Sequence, residues 1–124
     1  MIKIYTYKNC STCKNATKWL TSQGLEFDEH AIRDTPPTKR ELETMLAVYE
    51  GEIRKLFNTS GMDYRSLGLK DKLQNLKKQD AIQLLAENGN LVKRPFLLSN
   101  TFKAVGFREA DWATSLAWSE LSGK

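Results

Sequence analysis

The feature that most constrains this chain is Cys10-Ser11-Thr12-Cys13, a Cys-x-x-Cys that holds both cysteines of the 124-residue sequence. It lies where a strand pattern gives way to a helix pattern. Upstream, Met1-Ile2-Lys3-Ile4-Tyr5-Thr6 has the β-branched and aromatic content of a strand. Downstream, Cys13, Ala16, Trp19 and Leu20 recur at helical spacing until Gly24 stops the pattern. The first thiol is therefore expected at a helix N-terminus, where unpaired backbone N–H groups and the positive end of the helix dipole favour thiolate over thiol. Local charge points the same way, because Lys3, Lys8, Lys14 and Lys18 all precede the first acidic residue, Glu26. Cys10 is thus the candidate nucleophile. Cys13, one turn later, is placed to attack the sulfur of Cys10 and release whatever is bound there, the resolving role in thiol–disulfide exchange.

An inert buried pair, a zinc site and a structural disulfide are the alternatives. Free cysteine is often buried, but a strand-to-helix junction is the setting that redox motifs favour. Zinc requires about four nitrogen or sulfur ligands, and beyond this pair the chain offers only His30, with no second cysteine pair. No metal is expected. A structural disulfide does not persist in a reducing compartment, and the chain reads as cytoplasmic. It has no apolar run resembling a signal peptide, since Lys3 and Lys8 interrupt the first strand, and no stretch approaches the ~18 apolar residues of a membrane span.

Hydrophobic residues make up 40% and charged residues 27% of the sequence, which is the balance of an ordinary soluble domain. The length suits one domain over residues 1–124 with a core that needs no staples. A formal charge of +4 suits an anionic substrate or an acidic partner, and equally an unremarked soluble surface. No nucleic-acid-binding motif is present, so direct contact with nucleic acid is not expected.

Leu25 to Ile32 reads as a second strand, so strand, helix and strand predict a βαβ unit with parallel pairing. His30, alone in that strand, is assigned no role. Arg33-Asp34-Thr35-Pro36-Pro37 is a turn, and Thr38 with Glu41 three residues on predicts a capping box. Leu42, Met45, Leu46 and Tyr49 mark the buried face of the helix that follows, which Gly51 ends. Further helical turns are expected around Ile53, Leu56 and Phe57, and around Tyr64, Leu67 and Leu69, with Asn58-Thr59-Ser60-Gly61 as a turn. Lys70, Lys72, Lys77 and Lys78 make the region basic, as a docking surface or a solvated face. Ala81, Ile82 and Leu85 give another helix that Asn88-Gly89 terminates, so 38–90 is expected to be all-helical. Phe96 to Leu98 and Phe102 to Val105 flank Ser99-Asn100-Thr101 as an antiparallel hairpin, with Pro95 at the strand's start because it cannot donate to a ladder. The Arg94–Pro95 bond can be cis or trans on sequence grounds. Glu109, Trp112, Ala113, Leu116 and Leu121 predict a C-terminal helix over one sheet face, and Trp19, Trp112 and Trp118 read as packing residues.

Taken together these runs resemble the arsenate reductase-like (ArsC/Spx) branch of the thioredoxin fold. Cys10-Ser11-Thr12-Cys13-Lys14-Asn15 is similar to the arsenate reductase run Cys-Gly-Thr-Ser-Arg-Asn, with the catalytic cysteine at Cys10. Tyr64-Arg65-Ser66-Leu67-Gly68-Leu69 is similar to Tyr-x-x-Leu-Gly-Leu, and Arg94-Pro95 to that family's Arg-Pro. The resemblance implies an α/β, thioredoxin-like chain: a mixed four-stranded sheet with a helical insertion between the βαβ unit and the C-terminal β-hairpin. Residues 1–37 and 91–124 then form the thioredoxin-like core and 38–90 the insertion. The family surrounds its oxyanion with three arginines. Arg94 matches one of them, Asn58 stands where the inner one is expected, and the third falls near Lys103. Arsenate reductases of this branch also lack a cysteine at position 13 and resolve their adduct with glutathione, whereas Cys13 permits an internal disulfide.

The mechanism so implied is attack by a Cys10 thiolate on a disulfide sulfur or on the arsenic of an arsenate-like oxyanion. Ser11, Thr12, Lys14 and Arg94 are the anion-binding candidates, and Asn15 and Pro95 shape the site; the guanidinium of Arg94 offers a fork of donors at any working pH. Cys13 closes the disulfide. No cofactor is expected to be bound, and an external thiol donor, glutathione with glutaredoxin or thioredoxin, reopens it. A tyrosine-phosphatase-type phosphate loop is excluded because its arginine would fall at Ala16. The same motifs resemble the Spx regulators, which use the pair as a redox switch while binding the RNA polymerase α subunit, so a redox-sensing regulator is the alternative to an oxidoreductase.

Overall fold

Ile2–Thr6 forms β1, and its alternation decides what lies on either side of the sheet. The computed structural model describes residues 2–117 of the chain. Helix α1, Ser11–Ser22, follows β1 and leads to β2, Phe27–Ala31. The hairpin strands β3, Phe96–Leu98, and β4, Lys103–Val105, complete a four-stranded sheet in the order β2-β1-β3-β4. β3 runs antiparallel to both neighbours, with Ile4 opposite Leu97 and Leu97 opposite Ala104. The sheet is mixed, so β1 and β2 are its parallel pair, as a helical crossover between two strands of one sheet requires. The fold is the expected α/β, thioredoxin-like one.

The chain divides into two compact units, Met1–His30 with Arg94–Lys124, and Ala31–Lys93. In the first, Ile2, Ile4 and Leu97 from one sheet face pack with Ala16, Trp19 and Leu20 of α1, Leu25 and Trp112. The four-residue helix α6, Glu109–Trp112, brings Trp112 to this cluster, where its ring meets Phe107 edge-on at 4.7 Å between centroids. Trp19 and Trp112 are packing residues, as their spacing suggests. On the opposite face Tyr5 meets Phe96 edge-on at 5.8 Å and lies 5.3 Å from the His30 ring.

In the second unit α2, Lys39–Val48, starts at the predicted capping box. Thr38 Oγ1 accepts from the Glu41 N–H at 3.1 Å, and Glu41 Oε1 accepts from the Thr38 N–H at 2.9 Å. Leu42 and Met45 are buried on this helix, while Leu46 and Tyr49 are only half-buried. Short helices α3, Met62–Ser66, and α4, Leu69–Lys72, are separated by Gly68 at φ 65°, a left-handed conformation glycine adopts without a Cβ penalty. α5, Lys78–Glu87, buries Ala81, Ile82 and Leu85 and ends at Asn88.

Two expectations are corrected. The 38–90 stretch is not wholly helical, because Phe57 forms an antiparallel bridge with Val92. Asn58 N–H donates to Leu91 O at 2.7 Å and Lys93 N–H to Leu56 O at 2.8 Å, and a single bridge of this kind leaves no alternating pattern in sequence. The helix predicted from Glu109 onward keeps α-geometry only to Trp112 and continues as a π-helical turn over Ala113–Ala117. Trp118, Leu121 and the side chain of Leu116 lie outside the described residues.

Candidate functional site

Cys10 is the N-cap of α1, with extended backbone at φ −102° and ψ 110°. Its own N–H donates to Tyr7 O at 3.0 Å and its carbonyl accepts from the Lys14 N–H at 3.1 Å, so the residue is fixed on both sides. Its Sγ accepts the Cys13 N–H at 3.2 Å. A sulfur therefore occupies the place that a serine or aspartate oxygen fills at most helix starts. No acidic residue stands in the first turn of α1, so no carboxylate competes for the positive end of the dipole.

The two sulfurs differ in their surroundings. Cys10 is half-buried and Cys13 is buried at 2% exposure, and both are free thiols. Burial pushes the Cys13 thiol up from 9.0 to about 12, and its hydrogen bond to Cys10 and the charge of Cys10 add to the rise. A hydrogen bond with the Tyr7 backbone and the charge of Arg94 oppose it. At neutral pH Cys13 keeps its proton, and of the two sulfurs Cys10 is the more accessible.

Arg94 enters immediately before β3, and its guanidinium carbon lies 5.1 Å from the centroid of the Tyr7 ring. The Arg94–Pro95 bond is cis. Pro95 is buried and its carbonyl accepts the Gly106 N–H at 2.8 Å. Tyr7 is the site residue that sequence reasoning did not single out. It touches the motif through its backbone, supports Arg94 with its ring, and accepts the Asn9 side-chain amide at its hydroxyl at 3.3 Å. Its only sequence signal was an aromatic side chain three residues ahead of the first cysteine.

Cys10, Cys13 and Arg94 are thus brought together. Ser11, Thr12, Lys14 and Asn15 lie exposed in the opening turns of α1, and their side chains make no hydrogen bond or ion pair among the described residues. His30 is engaged at the far end of β2 with Asp28 Oδ2 at 3.1 Å. Among the described residues no three His, Cys, Asp or Glu side chains gather as metal ligands, and no helix is long and apolar enough to cross a membrane.

Comparison with known proteins adds four findings. The model of a family described as the ArsC family matches residues 5–115. The uncharacterized protein YusI of Bacillus subtilis is 41% identical over 108 residues, 87% of this chain and 92% of its own length. The global transcriptional regulator Spx of Enterococcus faecalis is 29% identical over 109 residues, 88% of this chain and 81% of its own. Among solved structures, a possible arsenate reductase from Streptococcus mutans superposes with a TM-score of 0.83 at 38% identity, covering 91% of this chain and 98% of that one.

Proposed function

The chain belongs to the ArsC family, and from that premise we propose that it is a thiol–disulfide oxidoreductase in which Cys10 attacks and Cys13 resolves. The observation that carries this reading is the Cys10 sulfur at the cap of α1, with a buried, protonated Cys13 bonded to it one turn along.

The Cys10 thiolate attacks one sulfur of a substrate disulfide. A Cys10–substrate bond forms, the substrate S–S bond breaks, and the other sulfur leaves as a thiolate. That step consumes the Cys10 charge, which is one of the influences holding the proton on Cys13, while the Tyr7 hydrogen bond and the Arg94 charge that favour its loss persist. Cys13 then gives up its proton and attacks Cys10. The internal disulfide forms, the second substrate sulfur is released, and two electrons have passed from the cysteine pair to the substrate. With an arsenate-like oxyanion the Cys10 thiolate bonds to the pentavalent arsenic and one arsenate oxygen leaves, protonated, as water. Cys13 then attacks the Cys10 sulfur, the S–As bond breaks with its electron pair going to arsenic, and arsenite departs as the internal disulfide forms. Arg94 with the opening turn of α1 at Ser11, Thr12 and Lys14 holds the anionic oxygens, and Asn15 and Pro95 shape the pocket. An external dithiol, thioredoxin or glutaredoxin with glutathione, returns the pair to its reduced form in the cytoplasm.

The test is turnover. Purified protein supplied with thioredoxin or glutaredoxin should reduce a small disulfide or arsenate, and Cys10→Ser should abolish this; equal rates for the two proteins sink the reading. Arg94→Ala should raise KM for an oxyanion more than it lowers kcat. A second reading has its own support in the Spx relative: a redox-sensing regulator that contacts the RNA polymerase α subunit without turnover. It predicts capture of the purified α subunit in one redox state of the cysteine pair, and failure of capture in both states removes it.

A further inference from the structure

The Ala31–Lys93 unit holds a cavity of about 600 Å³ in which cations predominate. Arg54, Arg65 and Lys70 line it against the single carboxylate of Asp71, together with Thr59 and Tyr64. Its volume falls in the range of small-molecule sites. None of the three cationic side chains makes an ion pair or hydrogen bond among the described residues. The groove of similar size beside α2 and α5 is less charged, with Lys39 and Lys78 set against Glu43 and an apolar floor.

Tyr64 supplies the second, independent observation. The residue is 4% exposed and its ring packs 6.1 Å from that of Phe57, yet its hydroxyl has no hydrogen-bond partner among the described residues. No fully buried side-chain oxygen in those residues is without a partner. The Tyr64 hydroxyl therefore touches solvent, and Tyr64 is among the residues that line the cavity. A phenol at the wall of a cationic cavity, hydrogen-bonded to no other described residue, can exchange water for the oxygen of an anionic ligand.

We propose that Arg54, Arg65, Lys70 and Tyr64 form a binding site for a phosphoryl dianion carried by a small, hydroxyl-bearing molecule. Two guanidinium forks, an ammonium and a phenol supply more donors than the two oxygens of a single carboxylate accept, and they match the oxygens and the charge of a phosphomonoester. Asp71, which repels an anion, then serves as acceptor for a hydroxyl on the same ligand. Every lining residue belongs to the second unit and both cysteines to the first, and none of the residues assigned above to thiol chemistry is used here.

The experiment is an NMR titration of the reduced full-length chain with glycerol 3-phosphate and with inorganic phosphate, against sodium chloride at matched ionic strength. Saturable shifts are expected among residues 54–71, with glycerol 3-phosphate binding more tightly than phosphate. The double variant Arg54→Ala/Arg65→Ala, which alters only exposed side chains, should weaken binding roughly tenfold or more. Tyr64→Phe keeps the ring packing and should weaken it several-fold. Shifts that never saturate, or that chloride reproduces, overturn the proposal. So does binding of a single-stranded oligonucleotide to these residues when neither small phosphate binds, which assigns the cations to a nucleic-acid backbone instead.

Discussion

The asymmetry between the two thiols makes a quantitative prediction about alkylation. The rise of the Cys13 thiol from 9.0 to about 12 cuts its thiolate fraction about a thousandfold at mildly alkaline pH, and the thiolate is the species that iodoacetamide attacks. Burial at 2% exposure obstructs the reagent further. Reduced protein treated at about pH 8 and sampled by peptide mass spectrometry should therefore carry its first label on Cys10. In Cys10→Ser, where Cys13 is the sole thiol, labelling should remain far slower than for the same chain unfolded in denaturant. Removing Cys10 takes away its charge, but burial is the larger influence and stays, so only part of the retardation is relieved. Adding Arg94→Ala should slow Cys13 again, because the arginine charge favours its ionisation. If Cys13 in the folded Cys10→Ser protein labels within about tenfold of the denatured thiol, the assignment of distinct attacking and resolving sulfurs is refuted.

Three further outcomes follow from the same structure. Because the folded-state value of Cys13 lies above its ordinary one, its contribution to stability is complete below about pH 9 and is lost as pH rises from there toward 12. Urea titrations of reduced wild type and Cys13→Ala should show the wild type losing more stability over that window, and parallel curves would contradict it. Gly89→Ala would set a Cβ onto the carbonyl oxygen of Ile32, 2.7 Å from its carbonyl carbon and 3.0 Å from the Cα of Arg33. Backbone cannot yield as a side chain does, so a loss of about 3 kcal/mol or more is expected by thermal or urea unfolding; an unchanged midpoint would show that the close approach is absent. Finally, Cys10→Asp should be more stable than Cys10→Ala by about 1 kcal/mol in thermal melts while being inactive, since a carboxylate caps α1 and complements its dipole. Equal melting temperatures would remove the capping argument.

What was legible in the sequence was local. The capping box needs only Thr38 and Glu41, three residues apart, and the structure has it. The start of α1 at Cys10, its core face at Cys13, Ala16, Trp19 and Leu20, and the hairpin around Ser99-Asn100-Thr101 each rest on residues within a turn or two of one another. What escaped depends on residues distant in the chain. The Phe57–Val92 bridge joins two segments that have no strand periodicity of their own. The stacking of Arg94 on Tyr7 arises because antiparallel pairing of β1 with β3 carries the start of one strand to the end of the other. The open hydroxyl of Tyr64 is likewise a matter of tertiary surroundings, since a Tyr-x-x-Leu-Gly-Leu run says nothing about where the phenol emerges.

The starts of α1 and α2 differ in how completely they are capped. α2 begins with a reciprocal capping box and an acid in its first turn, the arrangement that satisfies two orphan N–H groups and opposes the dipole. α1 has neither: its cap is a sulfur at 3.2 Å, a longer and weaker acceptor than oxygen, and its first turn carries no carboxylate. Better starts were available to the same chain, as α2 demonstrates, so the start of α1 forgoes about 1 kcal/mol that a serine or aspartate would contribute. A helix already anchored by Ala16, Trp19 and Leu20 in the core tolerates that loss. The positive end of the helix is consequently left facing the Cys10 sulfur, with Arg94 and Tyr7 arranged beside the cysteine pair. An inert pair would have no use for such an arrangement, because a buried structural cysteine gains nothing from an uncompensated dipole. The local rule broken at Cys10 therefore supports the proposal that the pair reacts.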